Sequence, residues 1–300
     1  MLEVIDDSLG FKIFKTSSPL LTSRCLVIES SEAREILTNH LLTGYPLINL
    51  TTKAVERCIK AFFAINSNAP RKSQQFAEVI PLSGSLTYNM IEAFHTVFNK
   101  PLRRNFIGIR RFQKPNGNWD TLVSYANFEA LDGLETKLVF IGDTIATGVT
   151  IRKVIQLILA HIQSPVIFVI ISIAGSLIGA QRLVDLENSI QHQFPASEIW
   201  CLFTEAFFGL EDNGTDMPVL HPDTLATEEL ISLSKKRLGN NLSRYLCSVL
   251  DWGKRTNSPI RHYTELAREL DELDSQLTED KFFLDLRKRC QRKIDFFDSE

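Results

Sequence analysis

The chain has 300 residues, 44% hydrophobic and 23% charged, which is enough for one large domain with appendages or two modest ones and is unlike a disordered segment. Its formal net charge of -3 provides no global basic field, so a nucleic-acid partner is not expected. Five scattered cysteines (Cys25, Cys58, Cys201, Cys247 and Cys290) lack CxxC spacing, which argues against a zinc site and a disulfide framework and predicts a reducing cytoplasm. The start, MLEVIDDSLGFKIF, is acidic where a secretory signal is basic. The longest apolar run, Pro165 to Ala180, falls short of the roughly 20 residues of a membrane span. The expectation is a cytoplasmic protein that engages neither membrane nor nucleic acid.

In chain order, residues 1–50 receive no role. Residues 50–65 (LTTKAVERCIKAFFAI) carry a helical period with Thr51 or Thr52 at its cap. FAEVIPL (76–82) reads as strand, SGS as loop and LTYNMIEAFHTVF (86–98) as helix. NFIGIRRF and WDTLVSYANF are strands joined by QKPNGN, whose Asn116-Gly117 pair marks a hairpin turn. KLVFIG (137–142), SPVIFVIISIAG (164–175) and ASEIWCLFTEAF (196–207) read as strands. The intervening TIRKVIQLILAHI (150–162) and SLIGAQRLVDLENSIQHQF (176–194) read as helices.

Strands alternating with helices over residues 76–207 predict an α/β domain, a mostly parallel sheet flanked by helices with an inserted β-hairpin. It spans residues 51–258 and holds a helical insertion at about 224–250. Residues 259–300 form a charged helical extension whose apolar positions recur at helical spacing. That pattern predicts packing on the domain or on a second subunit, with the charges as a solvated face. His161, His192 and His221 share no metal-ligand spacing.

The stretch FIGDTIATGVT, Phe140 to Thr150, places small and hydroxyl residues between a buried strand and a helix. At the carboxyl end of a parallel strand, free backbone N–H groups and the helix dipole favour an anion, and small residues let a phosphate approach. Asp143 is suited to accept ribose hydroxyls or to reach a hydrated magnesium ion. The spacing is neither a Walker loop nor GxGxxG. Taken alone, the turn also fits an ordinary connection in which Asp143 and the threonines serve as caps.

This wording resembles the phosphoribosyl-pyrophosphate (PRPP) loop of type I phosphoribosyltransferases, which runs as strand, two acids, variable residues, then Thr-Gly and a hydroxyl residue. Asp143, Thr147, Gly148 and Thr150 match, and Gly142 stands where the family has its first acid. The likeness extends most closely to uracil phosphoribosyltransferases: Gly108-Ile109, Arg111 and Tyr125 fall on that family's hairpin motif. VIPLSGSL lies at its pyrophosphate turn, with Leu82 in place of a basic residue. GLEDNGTDMPVL (209–220) is similar to its base-reading segment, and LDWGKR (250–255) to a later motif, with Lys254 replacing an acid.

The resemblance implies a magnesium- and PRPP-dependent transferase acting on a pyrimidine-like or other small heterocyclic base, and a homodimer. Ser83, Gly84, Asp143, Thr144, Ala146, Thr147, Gly148, Val149 and Thr150 would bind PRPP. Asp143, Arg111 and Asp251 would be catalytic, with Asp143 reaching the metal through PRPP and water. Met217, Pro218, Val219 and Gly253 would bind the acceptor. Each has a plainer reading: Arg110 rather than Arg111 faces inward, Pro218 is a loop proline, Asp251 a helix cap, and Ser83 and Ser85 cap the helix from Leu86. The alternative function is a non-catalytic PRPP or nucleotide sensor or scaffold on the same fold.

Overall fold

The computed structural model describes residues 1–69, 76–82, 84–133, 137–248 and 252–299. The chain begins with β1 (Leu2–Asp6), β2 (Ile13–Thr16) and β3 (Cys25–Ile28), followed by α1 (Ser31–Thr38), α2 (Gly44–Ile65) and β4 (Phe76–Leu82). Next come α3 (Met90–Phe98), the hairpin β5 (Arg103–Gln113) and β6 (Trp119–Asn127), β7 (Lys137–Gly142) and α4 (Val149–Ile162). β8 (Val166–Ser172), β9 (Gly175–Ser176), α5 (Leu177–Gln191), β10 (Glu198–Thr204), β11 (Ala206–Phe208) and β12 (Leu225–Ala226) complete the α/β part. Four helices follow: α6 (Glu228–Tyr245), α7 (Trp252–Asn257), α8 (Pro259–Leu277) and α9 (Lys281–Asp298).

Among the described residues nine strands form one sheet in the order β1-β2-β3-β10-β8-β7-β4-β5-β6. The six from β3 to β5 run parallel. Antiparallel β1–β2 closes one edge and β6 the other. The alternation of a strand sends Leu138 and Phe140 to one face, against α1, α2 and α3. Val139 and Ile141 face α4 and α5 on the other side. Both faces are covered, which is why these strands read as nearly continuous apolar runs. The expected mostly parallel α/β sheet with a hairpin and a helical C-terminal extension is the architecture found.

Local differences from the sequence expectation have physical causes. Thr51 and Thr52 are inside α2, not at its cap, and their hydroxyls donate to the Leu47 and Ile48 carbonyls at 2.9 Å. The helix starts at Gly44 behind Thr43, since Pro46 is tolerated in a first turn, where its missing N–H has no partner to lose. The stretch 86–98 is broken at Asn89, which takes a left-handed conformation (φ 45°) between a 3-10 turn and α3. Asparagine tolerates that region, and its amide donates to Thr52 at 3.0 Å. Residues 1–50 supply the sheet edge, with Cys25–Ile28 fully buried beside β10.

The extension has a core of its own. Leu238 and Leu242 of α6, Tyr263, Leu266 and Leu270 of α8, and Phe283, Leu286 and Cys290 of α9 pack together. All five cysteines are buried, and none is part of a disulfide. Among the described residues no helix is long and apolar enough to cross a membrane.

Candidate functional site

The parallel strands β4 and β7 end at one rim, and the loops that leave them line a cleft of about 550 Å³. The loop after β7 is held from behind. Asp143 N–H donates to Ile171 O (3.1 Å) and Ile145 N–H to Ala174 O (3.0 Å), while Ser176 N–H donates to Ile145 O (2.7 Å). The Ser176 hydroxyl donates to the Ala146 carbonyl and accepts the Gly179 N–H. Arg182 donates to the Thr147 carbonyl at 2.8 Å. Gly148 caps α4 at φ 73°, and a Cβ there would come 3.1 Å from the Gly179 carbonyl, so glycine is required on both counts.

With the loop carbonyls tied back to β9 and α5, the first N–H groups of α4 have no intrahelical partner and lie at the cleft. Beside them, the Thr147 hydroxyl, on a residue only 4% exposed, is buried with no hydrogen-bond partner among the described residues, and the Thr144 hydroxyl lies next to that of Tyr88. Buried polar groups left unpaired are costly and uncommon. Together they make a cradle for an oxygen-rich anion.

Gly142 has a steric explanation. A Cβ at that position would lie 2.7–2.8 Å from the ring and Cβ of Tyr88, a fully buried side chain. The Ile173 N–H donates to the Tyr88 hydroxyl at 3.2 Å, fixing the ring. An acid at 142 therefore has no room. Asp143 stands alone at the base of the loop, accepting the Thr144 N–H at 2.9 Å. The residue is half-buried, and burial pushes its carboxyl up to about 7, against the lowering effects of the Thr144 N–H, Arg111 and Ser85.

Arg111 reaches the cleft from β5, whereas Arg110 is exposed. Its guanidinium lies 4.8 Å from the centre of the Trp119 ring and donates to Gly214 O at 3.4 Å. Burial lowers its pKa and Asp143 raises it. Gly84 and Leu82 form the neighbouring rim.

The cleft brings together Gly84, Arg111, Asp143, Thr144, Ala146, Thr147, Gly148, Val149, Thr150 and Met217. Pro218, Val219 and Gly253 are not among its lining residues. Val219 is 3% exposed in the core, and Pro218 bridges to Cys247. The Met217 carbonyl accepts the Ser248 N–H (3.0 Å) and hydroxyl. The Pro218 carbonyl accepts from His221 N–H and the Thr224 hydroxyl. Main-chain reading of a base by these two carbonyls has no free acceptor direction that the protein leaves unused in the same way as the threonines. Ser83 and Asp251 lie outside the described residues. Arg255, from the same motif, is buried and donates to the Asn39 and Leu42 carbonyls at 3.0 Å, closing the end of α1.

Sequence reasoning missed the opposite wall. Glu265, Arg268, Glu269 and Glu272 of α8 line the cleft with Asp216 and Trp252. Their four- and three-residue spacing puts the glutamates on one face, a signal that looks the same on a solvated helix. Among the described residues no group of three His, Cys, Asp or Glu side chains is arranged to hold a metal ion.

No family model matches the sequence, and no curated protein matches it. Solved structures similar to the chain include a hypoxanthine phosphoribosyltransferase from Staphylococcus aureus, at 14% identity and TM-score 0.30, over 40% of this chain and 64% of that one. Another is an adenine phosphoribosyl transferase from Trypanosoma brucei in complex with AMP, pyrophosphate and ribose-5-phosphate, at 13% identity and TM-score 0.35, over 73% of this chain and 100% of that one. A third is a hypoxanthine phosphoribosyltransferase from Trypanosoma cruzi in complex with IMP, at 13% identity and TM-score 0.30, over 63% of this chain and 92% of that one.

Proposed function

We propose that the chain is a phosphoribosyltransferase. It binds PRPP with magnesium and transfers the 5-phosphoribosyl group to a ring nitrogen of a pyrimidine-like or other small heterocyclic base. The observation that carries this reading is the buried Thr147 hydroxyl, unpartnered among the described residues, beside the free N-terminus of α4, with Asp143 in the same loop. The first amides of α4, with Thr147 and Thr150, take the 5-phosphate. Asp143 accepts the ribose hydroxyls, which donate to it and favour its charged form. Gly84 and Arg111 face the pyrophosphate. Asp143 is the carboxylate that would reach a magnesium ion brought in with PRPP, which would supply positive charge for the departing pyrophosphate.

In the reaction the acceptor nitrogen forms a bond to ribose C1 while the C1–oxygen bond to pyrophosphate breaks, its electron pair leaving with pyrophosphate. The nitrogen then loses its proton. Most of this is positioning and charge stabilisation, which suits a site with few acid–base groups.

A second reading, a PRPP or nucleotide sensor, is favoured by Leu82, 37% exposed where a basic side chain would face pyrophosphate. Pyrophosphate release from PRPP and magnesium with a panel of nucleobases separates the two. Turnover supports the transferase. No turnover, with PRPP still raising the melting temperature, supports the sensor. An unchanged shift in Thr147→Val would remove the phosphate loop from both readings.

A further inference from the structure

We infer that the acceptor is a heteroaromatic ring bearing an amino group, and that the C-terminal extension selects it through the carboxylates of α8. The inference rests on the transferase reading for the ring's orientation toward ribose. Its chemistry comes from the wall opposite the phosphate loop.

That wall carries Asp216, Glu265, Glu269 and Glu272, with Arg268 and the neighbouring Lys254 as the cations beside them. Lys254 pairs with Glu265 at 2.9 Å and Arg268 with Glu272 at 2.9 Å. Glu269 is left without a cation among these pairs, while Asp216 already accepts the Asn213 amide at 2.6 Å and the Thr215 hydroxyl at 3.2 Å. The Oε2 atom of Glu265 is buried with no hydrogen-bond partner, and Glu269 accepts the Cys247 N–H at 3.0 Å through one oxygen. A phosphate beside this wall would meet like charge. A metal would need a carboxylate cluster, which the described residues do not form.

An independent feature points to a ring. Trp252 lines the same cleft, is only 4% exposed, and its indole N–H has no partner among the described residues. An indole donates only, so its partner must be an acceptor atom, while carboxylates call for N–H donors. An amino-substituted heterocycle presents both at once: its amino N–H groups to Glu265 and Glu269, and a ring nitrogen or oxygen to Trp252. Burial pushes the Glu269 carboxyl up to about 7, so at pH 8, where it is ionised, a ring carrying an oxo group in place of the amino group turns a carbonyl oxygen toward the carboxylates and leaves them unpaired, and the comparison is made at that pH. Sites built around buried polar partners discriminate strongly against such analogues.

The test titrates adenine against hypoxanthine, and cytosine against uracil, into the full chain with and without PRPP and magnesium, reading heat of binding. The amino member of at least one pair binds about tenfold or more tightly than its oxo counterpart, as expected of charge-assisted hydrogen bonds. Glu269→Gln, which keeps an oxygen for the Cys247 N–H, and Glu265→Gln each remove that preference. Both leave the PRPP-induced thermal shift unchanged, which also shows that the variants are folded. Equal binding within both pairs, no binding of any base, or a preference that survives both substitutions overturns the inference. A carboxylate-dependent preference without any PRPP shift would instead remove the transferase reading and leave the amino-ring site standing.

Discussion

At the scale of single residues, Asp143 sets function against stability. Its carboxyl titrates near 7 in the folded chain and at an ordinary 3.8 when unfolded. Between those values the folded state holds the extra proton, so this group's contribution to stability declines as pH rises from about 4 to about 7. Above that window the folded state bears the full penalty of a buried charge with Arg111 as its nearby cation. Asp143→Asn is therefore expected to stabilise the ligand-free protein at pH 8 by about 1–2 kcal/mol after allowance for the residue's partial exposure, and by less at pH 5. The same variant loses the PRPP shift. Thermal melts at the two pH values check both, and a variant less stable than its parent at pH 8 would contradict the argument. Gly142 is the companion case. Gly142→Asp is expected to destabilise by about 1–3 kcal/mol or more through overpacking against Tyr88. Tyr88→Ala makes the room, so the double variant should be less damaged than the sum of the singles. Denaturant melts of all four proteins measure that difference. The missing acid was visible as a letter in the sequence, but its cause was not, because Tyr88 lies 54 positions away behind a helix break at Asn89.

At the scale of elements, the parts with strong local signals were legible. The Asn116-Gly117 turn closes the hairpin, with Lys114 N–H donating to Asn118 O at 2.8 Å. The alternation of buried strands and amphipathic helices from β4 to β10 gave away the sheet. Parts fixed by distant partners were not. β3 has four residues and pairs with β10, more than 170 positions away, and no periodicity in so short a run announces that. The turn between β7 and α4 was readable as a strand-to-helix loop because strand, small residues and helix are contiguous. The acidic wall of α8 was not, since nothing in three helically spaced glutamates tells which face they cover. The hairpin's own contribution is testable through Arg111, which leans on Trp119 and Gly214. Arg111→Ala is expected to lower the rate of pyrophosphate release by about 100-fold, the scale of losing one charge-stabilising donor. Ribose-5-phosphate should still raise the melting temperature, because the α4 cradle is separate. Arg111→Lys is expected to recover little, since an ammonium lacks the planar fork that both stacks and donates. A Lys variant as fast as the parent would reduce Arg111 to a point charge.

At the scale of the molecule, two bodies of structure meet at one cleft. The loop between β7 and α4 belongs to the sheet and is pinned to β8, β9 and α5, whereas the glutamates of the acidic wall sit on α8, which packs in the cluster with α6 and α9. Loosening that cluster should affect one wall and spare the other. Phe283 is fully buried there, on α9, and is not among the cleft-lining residues. Phe283→Ala removes a large aromatic from a small core and is expected to cost about 3–5 kcal/mol. The effect should be local first, since sub-global opening follows cooperative units. Hydrogen exchange should then speed up in α8 and α9 and stay slow in β7 and β8. The PRPP shift should persist while affinity for the base falls, because α8 must be ordered before its carboxylates can grip anything. Saturating base should restore exchange protection to α8, as binding to the ordered form alone draws the equilibrium back. If exchange in β7 and α8 rises together, the sheet and the extension open as one unit, and the division of labour between the two walls fails.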